Sequence, residues 1–253
     1  MGKENVNYLL VDIGNTNLHF LCKKAGKAPE YFVVNNKKSL DELKELLPDT
    51  KVFISSVNKD NLEKVISRLN SLGVRDISVL NSLQLKGRLD ELGLEIDNLN
   101  ILATDLLVDI IGLEKSGLIA NFGTATKFLF LDKNKVFKGG TLGLGLFQIN
   151  KALGESADML EVFPLEVPDE FISFNTKNAI NIDTIYGSAN KLIALYNLIK
   201  EKYDEPELKL TVTGGDAIFI KQAFDKLGFK DYTLDEYHSF KGMVKALNLK
   251  MEL

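Results

Sequence analysis

The sequence holds one cysteine and two histidines among 253 residues, and each shortage closes off a class of chemistry. A single thiol, Cys22, cannot close an internal disulfide, and one cysteine with two histidines cannot assemble a usual zinc site. Such thiol usage suits the reducing cytoplasm. Positive charge is also in short supply: 31 lysines and arginines stand against 35 acids, a formal net charge of −4. That balance implies no general basic face for gripping phosphodiester backbones, so nucleic acid is not an expected partner. No apolar run reaches membrane-spanning length, and the polar segment Met1–Asn7 leads into an apolar stretch without a charged-then-apolar leader; neither export nor a membrane is expected. A P-loop signature and a Gly-x-Ser-x-Gly nucleophile elbow are missing as well. These absences leave a small-molecule partner as the expectation.

What is present is an ordinary globular composition, 45% hydrophobic and 26% charged, enough to fold throughout. Tyr8–Asp12 and Leu18–Cys22 read as apolar strands joined by a polar turn, and Tyr31–Val34 as a third strand. Ser39–Leu47 has the apolar spacing of an amphipathic helix. Val52–Val57 and Ile77–Leu80 read as strands, with a helix over Asn61–Leu72 between them. Gly87–Leu99 is less regular, and Thr104–Leu113 returns to helical spacing. The opening pattern then recurs: strand Leu118–Phe122, a small-residue turn, strand Lys127–Asp132 and a third strand starting at Val136. From Gly14 to Gly123 the repeat spans about 109 residues. Later segments read as a helix over Phe147–Leu153, an irregular stretch with Pro164 and Pro168, one long helix over Lys177–Tyr203, a strand over Leu208–Thr213, and helices over Ala217–Leu227 and Phe240–Leu247. The fold class expected is α/β with two similar lobes, residues 1–115 and 116–253.

Three turns carry candidate chemistry. Asp12-Ile13-Gly14-Asn15-Thr16-Asn17 combines a glycine, whose backbone N–H groups can converge on an anion, with small donor side chains. Asp12, at the end of a buried strand, suits a magnesium ion, which binds few carboxylates and shares its other positions with phosphates. Gly123-Thr124-Ala125-Thr126 is the equivalent turn of the second lobe, and the pair is expected to clamp a polyphosphate. Gly214-Gly215-Asp216 lies between a strand and a helix, where backbone can approach a phosphate; its structural alternative is a plain turn with Asp216 as an N-cap.

In these motifs the chain resembles type III pantothenate kinases, within the superfamily of actin, heat-shock chaperones and sugar kinases. Asp12–Asn17 is similar to that family's first phosphate motif and Asn121–Thr126 to its second. Gly139-Gly140 with Gly145 resembles the following glycine-rich segment, Asn175-Thr176 the acceptor-binding threonine region, and Gly214-Gly215-Asp216 the nucleotide-side motif. The resemblance implies a ribonuclease H-like, actin-like ATPase fold with the nucleotide between lobes. It also implies ATP-dependent phosphorylation of pantothenate, the first step of coenzyme A synthesis, by a homodimer that needs magnesium and a monovalent cation, potassium or ammonium. By the same resemblance Asp105 is the general base, and Ala103, Thr104, Leu106 and Thr176 belong to the acceptor site. Asp12, Ile13, Gly14, Asn15, Thr16, Asn17, Gly123, Thr124, Gly214 and Gly215 then hold ATP and its phosphates.

Three positions depart from the family's pattern. Leu106 stands where an arginine follows the base, Ala103 where a glycine precedes it, and Asn121 where an acid helps hold the monovalent cation. A neutral carboxamide at Asn121 weakens that cation site. The loss of charge at Leu106 motivates one alternative, a kinase for another small hydroxylated acceptor, and the joint loss of charge at Leu106 and Asn121 motivates a second, a nucleotide-binding regulatory or partner-binding protein with weak catalysis.

Overall fold

Two five-stranded sheets built to one plan organise the computed structural model, which describes residues 6–35, 40, 49–113, 115–251 and 253. Except at Leu40, the helix expected over Ser39–Leu47 lies outside the described residues. By their contacts the residues fall into two units, Met1–Gly112 with Ser239–Leu253, and Leu113–His238.

In the first unit β1 (Tyr8–Ile13), β2 (Asn17–Lys23) and β3 (Glu30–Asn35) form an antiparallel meander, and β4 (Lys51–Ser56) and β5 (Ile77–Val79) add parallel to β1 in the order β3-β2-β1-β4-β5. In the second, β6 (Gly117–Phe122), β7 (Ala125–Leu131) and β8 (Phe137–Leu144) repeat the meander, and β9 (Lys209–Thr213) and β10 (Thr233–Leu234) repeat the parallel pair, in the order β10-β9-β6-β7-β8. The doubled order is the ribonuclease H-like arrangement that the sequence led us to expect.

Because strand side chains alternate between faces, β1 divides its residues between two cores. Leu9, Val11 and Ile13 pack with Val52 and Ile54 of β4 against Val65 and Leu69 of α1 (Lys59–Ser71). Leu10 and Leu21 point the other way, to Val108 of α3 (Thr104–Gly112) and to Phe240 and Met243 of α8 (His238–Ala246). The two helices cross closely, since a Cβ on Gly242 would fall 1.8 Å from the Val108 carbonyl oxygen. Lys245 Nζ donates to the Gly112 carbonyl at 3.2 Å and satisfies the end of α3. Asp109, buried within α3, accepts a 2.6 Å hydrogen bond from Ser239 Oγ. The chain's last segment therefore fixes the helix that carries Asp105.

The stretch Gly87–Leu99 differs from the sequence expectation. α2 (Ser82–Leu92) runs through Gly87, started by Asn81, whose side chain accepts from Gln84 N, and stopped by Gly93 in the left-handed region at φ 67°. Gly87 costs the helix about 1 kcal/mol relative to alanine, and the buried Leu85 and Leu89 outweigh that cost. The long helix expected over Lys177–Tyr203 is also divided. α4 (Leu146–Ser156) precedes an irregular stretch; then α5 (Thr176–Asn181) leads into a π-helical turn at Ile182–Tyr186 and α6 (Gly187–Lys202). Asn150, Asn181 and Thr184, all buried, hold this turn: Thr184 Oγ1 donates to Asn150 Oδ1 at 2.5 Å and Asn150 Nδ2 to Asn181 Oδ1 at 3.2 Å. α7 (Ala217–Leu227) and α6 cover one face of the second sheet through Leu192, Tyr196, Ile220 and Phe224.

Candidate functional site

In the first unit the site is assembled at the carboxyl ends of the parallel strands, where open α/β sheets commonly bind ligands. Asp12 is the penultimate residue of β1 and half-buried. It pairs in register with Ser55 on β4 and with His19 on β2. Register partners share a face, so Asp12, Ser55 and His19 lie on the side occupied by α3. α3 packs on β4, and Thr104 Oγ1 donates to the Leu80 carbonyl beyond the end of β5 at 3.4 Å. Asp105, in the first turn of α3, stands one turn before Val108 on the same side of the helix. Leu106 is half-buried and Ala103 exposed.

The turn after Asp12 is braced from outside. Gly14 N donates to Asn17 O at 3.0 Å. A Cβ on Gly14 would come 3.1 Å from that same oxygen, so the glycine is needed for close approach rather than for a left-handed φ. Asn58 caps α1 through Asn61 N and donates to Asn15 Oδ1 at 3.1 Å, while Asn61 Nδ2 donates to the Gly14 carbonyl at 3.3 Å. These carboxamides fix the turn beside the amino end of a 13-residue helix, whose dipole favours negative charge. Asn15 and Thr16 at the tip are exposed.

Two features of this cluster were not foreseen. The Ser55 hydroxyl is fully buried and has no hydrogen-bond partner among the described residues. Leaving a hydroxyl in that state costs on the order of 1–3 kcal/mol. His19 Nδ1 lies 2.8 Å from Tyr31 Oη, and burial pushes the imidazole pKa below its ordinary value, which favours the neutral ring. Ser55 carried one weak signal, a polar residue inside the apolar run 52–57. Nothing pointed to His19 until the register was known.

In the second unit three glycine turns gather around the end of β6. Gly123 N donates to the Ala125 carbonyl at 3.2 Å and Gly145 N to the Thr124 carbonyl at 3.0 Å. A Cβ on Gly145 would fall 1.9 Å from the Gly123 carbonyl oxygen, which only glycine avoids. Gly214 is left-handed at φ 100°, and a Cβ there would lie 2.3 Å from the Phe122 carbonyl oxygen and 2.7 Å from Asn121 Oδ1. Gly215 is exposed, and Asp216 N donates to the Phe122 carbonyl at 2.9 Å. Asp216 occupies the N-cap position of α7, yet its side chain makes no capping hydrogen bond. Burial pushes its carboxyl up to about 6. The Thr126 hydroxyl is buried without a partner among the described residues. Thr176 opens α5, exposed, with Asn175 capping the helix through Asn178 N at 3.0 Å.

A family model described as type III pantothenate kinase matches residues 8–197. The chain belongs to the type III pantothenate kinase family. It is 26% identical over 224 residues to the type III pantothenate kinase of Borrelia hermsii, covering 84% of each chain. Among solved structures it is similar to a Baf family protein from Campylobacter jejuni, with 24% identity, a TM-score of 0.59 and coverage of 95% of this chain and 97% of that one. It is also similar to the activator of 2-hydroxyisocaproyl-CoA dehydratase from Clostridium difficile, a structure with bound ADPNP, at 13% identity, a TM-score of 0.50 and coverage of 95% and 92%. Both structural likenesses bear on the fold alone. As a type III pantothenate kinase family member the chain is a small-molecule kinase.

The residues present fit magnesium at Asp12. A half-buried carboxylate stands at the mouth of a turn suited to phosphate, in register with a buried hydroxyl that has no hydrogen-bond partner among the described residues and so keeps its donor available. The residues around Asn121 do not fit a monovalent cation. Asn121 brings no charge, and its register partner across β6 and β7 is Lys127, a cation on the same face. No helix among the described residues is long and apolar enough to cross a membrane.

Proposed function

We propose that this chain transfers the γ-phosphoryl group of ATP to the primary hydroxyl of pantothenate, the first step of coenzyme A synthesis. The observation that carries the reading is the gathering of Asp12 and Asp105 at one end of one sheet face, in a chain of this family. Asp105 acts as general base: it holds the acceptor hydroxyl and takes its proton as the oxygen attacks phosphorus. Asp12 holds magnesium, which when bound neutralises charge on the phosphate oxygens. The turns at Ile13–Asn17, Gly123-Thr124 and Gly214-Gly215 supply backbone and side-chain donors to the phosphates. Ala103, Thr104, Leu106 and Thr176 line the acceptor site.

A homodimer is part of the proposal. The second unit exposes Leu142 and Leu144 on β8, an edge strand, with Phe147, Met159, Ile172 and Phe174. Exposed apolar side chains of this kind are suited to burial against another copy; light scattering of the purified protein should give twice the chain mass, and a monomer at micromolar concentration would remove this part. The cytoplasm is the compartment proposed.

Leu106 favours one second reading, a kinase for a less anionic acceptor, because no arginine follows the base. Coupled ADP-release assays with pantothenate and a panel of hydroxylated acceptors decide between the two. Turnover with pantothenate supports the first; turnover only with another acceptor overturns it.

A further inference from the structure

We infer that Lys127 is a ligand for the nucleotide phosphates and supplies the positive charge that a monovalent cation would otherwise bring, so that this kinase works without potassium or ammonium. The inference rests on the proposed ATP-dependent activity. Three observations carry it. First, Asn121 and Lys127 are register partners on adjacent antiparallel strands, which puts their Cβ atoms about 4.5–5.5 Å apart on one face. Second, Asn121 Oδ1 lies where a Cβ on Gly214 would come within 2.7 Å and one on Gly123 within 3.9 Å. The carboxamide is thus wedged between the two glycine turns assigned to phosphate, and Lys127 springs from the strand that leaves the first of them. Third, Lys127 is half-buried, so its charge is partly shielded from water and acts at short range.

The charges decide what this place can hold. A monovalent cation needs oxygen ligands and is helped by a carboxylate. Here the carboxylate position carries a neutral carboxamide, and a metal cation bound there would stand beside an ammonium group of the same sign. A phosphate oxygen meets the reverse situation. Lysine is a compact point charge on a flexible stem with three donors, well suited to a phosphate. The neutral carboxamide and the neighbouring ammonium therefore act in the same direction, and together they make this corner suited to an anion rather than a cation.

The test is calorimetric binding of Mg·ADP together with initial rates, at constant ionic strength in choline, potassium or ammonium chloride. The native protein is expected to bind ADP and turn over equally in all three salts, within about twofold. Lys127→Met should weaken ADP binding about tenfold or more in every salt, and Lys127→Arg should keep most of the affinity. Asn121→Asp/Lys127→Met should acquire a potassium requirement, and its absence would overturn the inference. Native binding that tightens tenfold with potassium, or Lys127→Met binding like the native protein in choline, overturns the inference while leaving the kinase reading intact. No Mg·ADP binding by the native protein in any salt overturns both. Thermal melts of each variant in the absence of nucleotide report whether it folds.

Discussion

Asp12 and Ser55 stand side by side in register on two parallel strands, one a half-buried carboxylate and the other a fully buried hydroxyl with no partner among the described residues. A protein keeps such a hydroxyl at a cost in stability, and sites built for a ligand are where such costs concentrate. Ser55→Ala is expected to raise the unfolding free energy of the ligand-free protein by roughly 1 kcal/mol, measured by urea denaturation. A decrease of that size would show that the hydroxyl has a partner that stabilises the fold.

Asp105→Asn should leave Mg·ADP binding near its native strength and lower turnover with pantothenate by about 10² to 10⁴-fold. The amide keeps the shape of the carboxylate but cannot accept the proton. Parallel calorimetry and ADP-release rates separate the two effects, and a variant with native turnover removes Asp105 from the chemistry.

Leu106→Arg restores a cation next to the base. Its expected effect is a fall in the KM for pantothenate by about ten- to a hundredfold with a smaller change in kcat, since a charge-assisted hydrogen bond to a carboxylate contributes about 1.5–3 kcal/mol. An unchanged KM would mean that the acceptor pocket has been rebuilt around leucine.

Asp216 gives a pH signature. Burial raises its folded-state pKa to about 6, above the ordinary aspartate value of 3.8, so the folded protein holds this proton more tightly than the unfolded chain does. Its contribution becomes progressively unfavourable as pH rises through the interval between those values, and the full loss is present above about pH 6. Denaturation midpoints of the native protein should therefore fall relative to Asp216→Asn from about pH 4 to pH 7. Parallel curves would show that the carboxyl ionises normally.

Gly145→Ala is expected to destabilise by more than Gly215→Ala, because a Cβ at 145 meets the Gly123 carbonyl at 1.9 Å whereas one at 215 meets nothing within 4 Å. The first should cost about 2 kcal/mol or more, and the second should be near neutral in stability. Differential scanning calorimetry of the two variants checks the order.

Much of this protein was legible from alternation and turn chemistry. The meanders at 8–35 and 117–144 follow from apolar runs broken by small polar turns, and both glycine motifs fall where strands end. What escaped had physical causes. α2 was obscured by Gly87, a poor helix former whose neighbours Leu85 and Leu89 nonetheless reach the core. The π turn at Ile182–Tyr186 keeps apolar residues at nearly helical spacing, so Lys177–Tyr203 reads as one uninterrupted helix; the turn becomes visible only through Asn150 and Thr184, far apart in sequence. His19, Ser55 and Lys127 depend on cross-strand register, which no local window contains. Asn121 is legible in the sequence as a neutral residue where the family has an acid, whereas its pairing with Lys127 exists only in the register of β6 and β7.

The return of residues 239–253 makes the first unit discontinuous in sequence. Residues 113–238 are contiguous, whereas the first unit draws Phe240 and Met243 from beyond them to cover Leu10 and Val108. Removing the segment from Ser239 onward would strand Asp105 on a helix with an uncovered flank.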